Sequence, residues 1–285
     1  MRTLITGGGG QLACDLESRL GSEAVSLART QLDITDAPAV KRALAELRPE
    51  VIFNCAAYHN LDQCEADPGR SFAVNVDGVR NLCGSRARLV HLSTNYVFDG
   101  RRPEPYDEHD LPAPRSIYAI SKLAGEYAAL AYGERSLVVR SAGLYGLHGS
   151  ASKGGNFVQR MLARARETDA LQVVADQRLQ PTYTGDLADA LLDAVRRDAD
   201  GVLHLTAGGD CSWHQFTEAI IELAGLDVPV RASATTVTPG GVDRPLNGVL
   251  ARPRADSLGI PALPHWRDGL ERYMAQADLL AASAG

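Results

Sequence analysis

Short apolar runs alternate with segments of helical period through the first half of the chain. "RTLIT" leads into four consecutive glycines, Gly7 to Gly10. "QLACDLESRL" then repeats Leu12, Leu16 and Leu20 at a spacing of four, one face of a helix, with Gly21 as its stop. "AVSLA" predicts a second strand. "DAPAVKRALAEL" predicts a helix capped by Asp36, with Pro38 in its first turn and Val40, Leu44 and Leu47 along one face. "VIFNCAA" reads as a strand, 69–84 as a helix, "RLVHLS" as a strand, 116–131 as a helix and "SLVVR" as a strand. Strands that are apolar on both faces, set between amphipathic helices, predict a parallel sheet covered on both sides. Right-handed crossovers make it an α/β fold with a doubly wound, Rossmann-type sheet, which binds ligands beyond the carboxyl ends of its strands.

The pattern changes after Tyr145. Glycines and polar residues fill 146–155, "FVQRMLARARE" and "PTYTGDLADALLDAVRR" read as helices, and "GVLHLTA" as one more strand. "SWHQFTEAIIELAG" carries a capping box of Ser212 and Gln215. The stretch 226–262, rich in Pro, Gly and Thr, is expected to be irregular and to shape a pocket. The expected division is a dinucleotide-binding domain of 1–147 and 183–207, and a smaller C-terminal α/β subdomain for substrate of 148–182 and 208–285. No linker or repeat separates them.

Composition narrows the function classes. A chain of 285 residues supports a sizeable core. A formal charge of −6 with no basic run gives no field for nucleic acid. No apolar run is long enough for a membrane span, and the N-terminal run is too short for a signal peptide. Five scattered cysteines, Cys14, Cys55, Cys64, Cys83 and Cys211, form no ligand pair, as expected of thiols in a reducing cytoplasm. The seven histidines show no metal-ligand spacing, so no metal is expected. His59 and His148 fall on expected loops facing the site. "EADP" and "YDEHD" read as solvated loops.

The candidate chemistry lies at strand ends. "TGGGGQLA" fits G-x-x-G-x-x-A with Gly7, Gly10 and Ala13, after a strand and before a helix. Small residues there let the backbone approach a pyrophosphate, which the helix N-terminus attracts; a plain turn is the alternative. No acidic residue ends the second strand where the ribose of NAD is usually bound. Arg29 either pairs with the 2′-phosphate of NADP or is a surface charge, and Asp33 and Ile34 either flank an adenine or begin a turn. Tyr118 and Lys122 stand four apart on an expected helix, hence on one face. An ammonium beside a phenol favours the phenolate, so the pair is expected to lower the tyrosine's pKa and make it a proton donor and acceptor at a carbonyl oxygen. Thr94, at the end of "RLVHLS", adds a hydroxyl expected to hydrogen-bond the substrate carbonyl and orient Tyr118. Arg178, Arg244 and Lys153 are candidates for a substrate diphosphate or are surface charges.

Together these residues resemble the extended short-chain dehydrogenases/reductases, and most closely the dTDP-4-dehydrorhamnose reductase family. The similar segments span nearly the whole chain, among them "LDITD", "NCAAYHNLDQCEADP", "LSTNYVFDG", "YAISKLAGE", "GGNFVQRML", "DQRLQPTYTGDLA", "RPLNGVL" and "LPHWRDGLERY". The resemblance implies reduction of the C4 ketone of a dTDP-linked 4-keto-6-deoxy sugar by NADPH or NADH, with Thr94, Tyr118 and Lys122 catalytic. It implies cofactor contacts at Gly7, Gly10, Gln11, Leu12, Asp33, Ile34, Ala56, Ala57, Tyr58 and Asn75. It implies substrate contacts at Leu61, Asn95, Tyr96, Gly143, Asn156 and Arg244, and leaves a homodimer open.

Four positions depart from the family's pattern. Asn95 stands where Asp is usual, Gly143 where Trp is usual, and Gly248 and Ala251 replace a serine and an aspartate. The changes gather at the expected sugar pocket while the catalytic trio is intact. They imply a differently shaped or differently configured keto sugar, as in a natural-product deoxysugar, or else drift within a rhamnose-pathway enzyme. A nucleotide-sugar epimerase or dehydratase and a non-catalytic regulatory subunit are the competing readings.

Overall fold

Uninterrupted runs such as Val51–Asn54 and Arg88–Thr94 are buried along their whole length, which requires cover on both faces. The structure, a computed structural model, describes residues 1–148, 154–236 and 241–281. Its strands are β1 (Thr3–Thr6), β2 (Ala24–Leu27), β3 (Val51–Asn54), β4 (Arg88–Thr94), β5 (Ser136–Ser141), β6 (Leu144–Tyr145), β7 (Leu171–Val174), β8 (Arg178–Leu179), β9 (Thr182–Tyr183), β10 (Gly201–His204), β11 (Cys211–Ser212) and β12 (Val230–Ser233). The main sheet runs β10-β5-β4-β3-β1-β2, all parallel. The winding reverses between β1 and β3, the place where such sheets open a crevice.

The helices are α1 (Gln11–Leu20), α2 (Ala37–Leu47), α3 (Leu61–Ala66), α4 (Pro68–Phe72), α5 (Gly78–Leu82), α6 (Ile117–Tyr132), α7 (Phe157–Ala165), α8 (Thr184–Arg196), α9 (Trp213–Leu223), α10 (Pro253–Ser257) and α11 (Trp266–Gln276). Leu12 and Leu16 of α1 and Leu187 and Leu191 of α8 bury one face of the sheet. Val40 and Leu44 of α2, Val79 and Leu82 of α5 and Ala129 of α6 bury the other. Truncating a fully buried leucine such as Leu16 to Ala is expected to cost about 2–5 kcal/mol. Asp36 caps α2 by accepting from the Ala39 N–H, and α1 stops at Gly21 with φ 54°, as the sequence indicated. A second cluster joins Tyr145, Phe216, Trp266, Leu270 and Tyr273 across α9 and α11. Ser212 and Gln215 form the expected capping box. No helix among the described residues is long and apolar enough to cross a membrane.

Two expectations change. The helix expected over 69–84 runs over 68–82, but it carries a π turn over Ala73–Asp77 between α4 and α5, and a separate short helix, α3, precedes it. Asn60 and Asp67 each restart the helix by accepting a backbone N–H, and Pro68 follows Asp67 directly. The stretch 226–262 is only partly irregular, because β12 pairs with β7 and Pro253 opens α10.

Candidate active site

The glycine turn is dictated by close approach. A Cβ on Gly7, whose φ is 78°, would stand 2.7 Å from the Ala56 nitrogen, and one on Gly8 would stand 2.8 Å from that of Ala28. Gly9, φ 77°, faces open space. Gly10 precedes helix α1 as its N-cap and offers no side-chain cap, and the first turn of the helix holds no acidic residue. Its N-terminal N–H groups therefore face outward with their positive dipole end uncompensated. Gly8, Gly9, Gly10, Gln11 and Leu12 line a cleft of about 1150 Å³ that runs over the ends of β1, β3, β4 and β5. The Gln11 Oε1 accepts from the Gly146 N–H at 2.8 Å and ties the turn to the second half of the chain.

Thr94, Tyr118 and Lys122 all line this cleft. β4 ends at Thr94, whose hydroxyl caps the short turn over Asn95–Val97 by accepting from the Tyr96 N–H at 3.2 Å. Ser116 caps α6, which presents Tyr118 and Lys122 one turn apart. Burial pushes the Tyr118 phenol above its ordinary range, and hydrogen bonding with the Thr94 hydroxyl acts in the opposite direction. This corrects the expectation that Lys122 draws the phenol toward neutrality. The Lys122 Nζ is turned to the Leu92 carbonyl, 2.6 Å away, and to His91, 3.3 Å away. Burial lowers Lys122 itself to about 8. The phenol is thus protonated at neutral pH, the form that donates a proton. The Tyr96 ring meets it edge-on at 6.2 Å.

Next to this trio, Asn95 is buried and used at both ends. Its Oδ1 accepts from the Thr94 hydroxyl at 3.3 Å, and its Nδ2 donates to the Gly248 carbonyl at 2.9 Å. A Cβ on Gly248 would fall 2.2 Å from that nitrogen. Gly143, φ 57°, leaves no hole where a large side chain was expected to be missing. Its Cβ direction is taken by Leu179, at 2.9 Å, and Pro181. The wall there is Leu179, which lines the cleft.

The other expected contacts divide. Leu61, Ala57 and Arg244 line the cleft, as do His59 and Arg178. The Arg178 guanidinium is already engaged by Asp210 at 2.8 Å. Arg29 and Asp33 pair with each other at 3.3 Å on the surface, and Ile34 is buried against Gly78 of α5; none of the three lines the cleft. Asn75 is buried, with its Oδ1 on the Tyr58 N–H and its Nδ2 on the Tyr58 carbonyl and the Ser121 hydroxyl, all at 2.9 Å. It holds the 56–58 segment, and of that segment Ala57 lines the cleft while Ala56 and Tyr58 do not. Asn156 lines the cleft, but its amide caps α7 and donates to the Gly146 carbonyl and the Tyr273 hydroxyl. His148 is exposed and away from the cleft, and Lys153 lies outside the described residues.

Sequence reasoning missed the far end of the cleft. Phe157, Arg160, Met161 and Arg164 of α7 line it with Gln172, Val174 and Trp213. Phe157 and Trp213 rings stand 4.3 Å apart. Among the described residues, Arg160, Arg164 and Arg244 pair with no carboxylate. The usable signal was the i, i+4 pair of arginines on the polar side of "FVQRMLARA", a pattern shared with many solvated helices.

The chain matches the family model described as "RmlD substrate binding domain" over residues 1–279. It is 39% identical to a protein of Streptomyces antibioticus named "Probable dTDP-4,6-dihydroxy-2-methyloxan-3-one 4-ketoreductase", over 99% of this chain and 97% of that one. The crystal structure of a dTDP-4-dehydrorhamnose reductase from Clostridium acetobutylicum superposes with a TM-score of 0.92 at 34% identity, covering 98% of this chain and 100% of that one. A dTDP-4-dehydrorhamnose reductase from Bacillus anthracis, solved in complex with NADP, gives a TM-score of 0.90 at 34% identity and covers 96% and 98%.

Proposed function

Since the chain belongs to the RmlD substrate binding domain family, we propose that it is an NADPH-dependent reductase of the C4 ketone of a dTDP-linked 4-keto-6-deoxy sugar. The observation that carries this reading is the meeting of Thr94, Tyr118 and Lys122 on one wall of a cleft whose other end is the uncapped N-terminus of α1. The residues present fit a dinucleotide. The α1 amides and the open backbone at Gly9 suit a pyrophosphate. Ser141, at the end of β5, lines the cleft with a buried hydroxyl that has no partner among the described residues. Bound NADPH would supply the hydride.

The chain's own residues handle the oxygen. Tyr118, held protonated by burial, donates its proton to the carbonyl oxygen as negative charge builds there. The Thr94 hydroxyl, fixed by Tyr96 and Asn95, orients the phenol and the ketone. Lys122 supplies an N–H to the same wall. At the far end, Arg160, Arg164 and Arg244 suit a diphosphate, and Phe157 and Trp213 a nucleobase. In this reading 1–147 and 183–207 hold the dinucleotide, and 148–182 and 208–285 the sugar nucleotide. Five free cysteines suit action in a reducing cytoplasm.

The Asn95–Gly248 contact lies beside the reacting group, so the sugar panel includes the rhamnose precursor and others that differ in configuration. The test is NADPH oxidation by the purified protein with a panel of dTDP-4-keto-6-deoxy sugars, with NMR of the product to fix its C4 configuration. Stoichiometric oxidation is expected. Conversion without net oxidation would point to an epimerase or dehydratase. No conversion of any member, with tight binding to a protein partner, would make the chain a regulatory subunit.

A further inference from the structure

A polar row crosses the sheet under the site, on the face covered by α6. In-register pairing sets Thr6 beside Asn54 and Asn54 beside His91, and all three are buried. The Thr6 hydroxyl donates to Asn54 Oδ1 at 2.7 Å, and the Ala56 backbone N–H donates to the same oxygen at 3.2 Å. Beyond it, Asn54 Nδ2 stands 3.1 Å from His91 Nδ1, and His91 Nε2 stands 3.3 Å from Lys122 Nζ.

The polarity of this row is fixed at one end. A backbone N–H can only donate. The Asn54 oxygen must therefore face Ala56, which turns its NH₂ to the imidazole. His91 Nδ1 accepts, so the neutral ring carries its proton on Nε2, aimed at Lys122. That contact is a hydrogen bond only when Nζ offers a lone pair.

From this geometry we infer that Thr6, Asn54 and His91 form a positioning chain for Lys122. They hold its amine with the lone pair toward His91, one N–H on the Leu92 carbonyl, and the remaining N–H on the cleft wall. The chain's service to catalysis rests on the reductase reading; its proton pattern does not.

The electrostatics agree. Burial and Lys122 hold His91 well below the usual imidazole range, so the ring stays neutral. The titratable groups around Lys122 are His91 on β4, Cys55 beyond β3, and Tyr118 and Glu126 on α6. Glu126 is engaged by Arg140 of β5 at 2.7 Å. Cys55 is pushed up to about 12 by burial and stays a thiol. Lys122, drawn down to about 8, is left as the member of this set that changes charge near neutrality.

The test uses the full chain labelled with ¹⁵N-histidine and ¹⁵Nζ-lysine, with His91→Gln and Lys122→Met for assignment. Long-range ¹H–¹⁵N spectra between about pH 6 and 9 follow the Lys122 midpoint, and above it they are expected to show His91 neutral and protonated on Nε2. A proton on Nδ1, or an imidazolium, would overturn the proposal, and the wild-type protein alone decides this. In Asn54→Asp, a carboxylate offers His91 only acceptors, so the proton moves to Nδ1 and the bare Nε2 accepts from the ammonium. The Lys122 midpoint is then expected to rise by about one pH unit or more. A flipped ring with an unmoved lysine would overturn the chain's hold on Lys122. Both readouts are independent of turnover, so failure to reduce any sugar would count against the reductase reading alone.

Discussion

Asn95 shows how one amide couples two departures from the family pattern. Its Nδ2 donates to the Gly248 carbonyl, and that nitrogen occupies the space a Cβ at 248 would need. A carboxylate at 95 would face the carbonyl with no proton to give, and a serine at 248 would push the amide off Thr94. Asn95→Asp and Gly248→Ser are therefore expected to lower kcat/KM individually and to be non-additive together. A double-mutant cycle should return a coupling of about 0.5–3 kcal/mol, and a strictly additive pair would refute the linkage. Tyr118 is tested more directly. Tyr118→Phe removes the donated proton but keeps the ring that meets Tyr96, so kcat should fall about 100-fold or more while the melting temperature holds. Turnover near the wild-type rate in single-turnover assays would remove Tyr118 from the proton step.

At the scale of elements, the broken helix from α3 to α5 positions the cleft wall. Its π turn lets the backbone approach α6 so closely that a Cβ on Gly125 would lie 2.2 Å from the Asn75 carbonyl oxygen. The same turn aims the Asn75 amide at both backbone groups of Tyr58. Asn75→Ala removes the partner of that N–H and carbonyl, which are half-buried. A loss of about 1–3 kcal/mol in denaturant unfolding is expected, with weaker NADPH binding by fluorescence titration. Unchanged stability would show that Asn75 does not hold the wall. None of this was legible in "FAVNVDG", which carries an ordinary helical period. What was legible follows from local chemistry. Asp36, Ser212 and Gly21 act on their own helices, and the Tyr118–Lys122 spacing fixes a shared face whatever surrounds it. What stayed hidden depends on register and tertiary approach. Thr6, Asn54 and His91 meet only because three strands align. The pull expected of Lys122 on Tyr118 gave way to burial, which no spacing reveals.

For the whole molecule, the buried polar groups that shape the site also set its pH range. His204 is held neutral by burial and by Arg140, with its Nδ1 2.8 Å from the Ala251 carbonyl, and its pKa falls from 6.5 to about 4. His91 is lowered in the same direction. In the unfolded chain both imidazoles take up protons as pH drops through 6.5, while the folded state still refuses them. The unfolded state then binds more protons, so stability falls with falling pH. The full loss from His204 alone is about 3 kcal/mol, complete only below its folded value. Lowered carboxyls such as Asp99 and Asp110 add their own loss from about pH 5 downward, as the unfolded carboxyls take up protons. Lys122 acts in a separate window, above about 8, where its lowered value makes stability rise with pH. Among the groups with a lowered pKa, the interval between 6.5 and about 5 therefore belongs to the two imidazoles. Urea unfolding at about pH 7.5 and 5 should show the decline in the wild type, and His204→Gln should reduce the pH dependence by up to about 2 kcal/mol at the lower pH. Equal stability of the wild type at both values would mean that these imidazoles take up protons in the folded protein, which would also remove the neutral ring on which the placement of Lys122 depends.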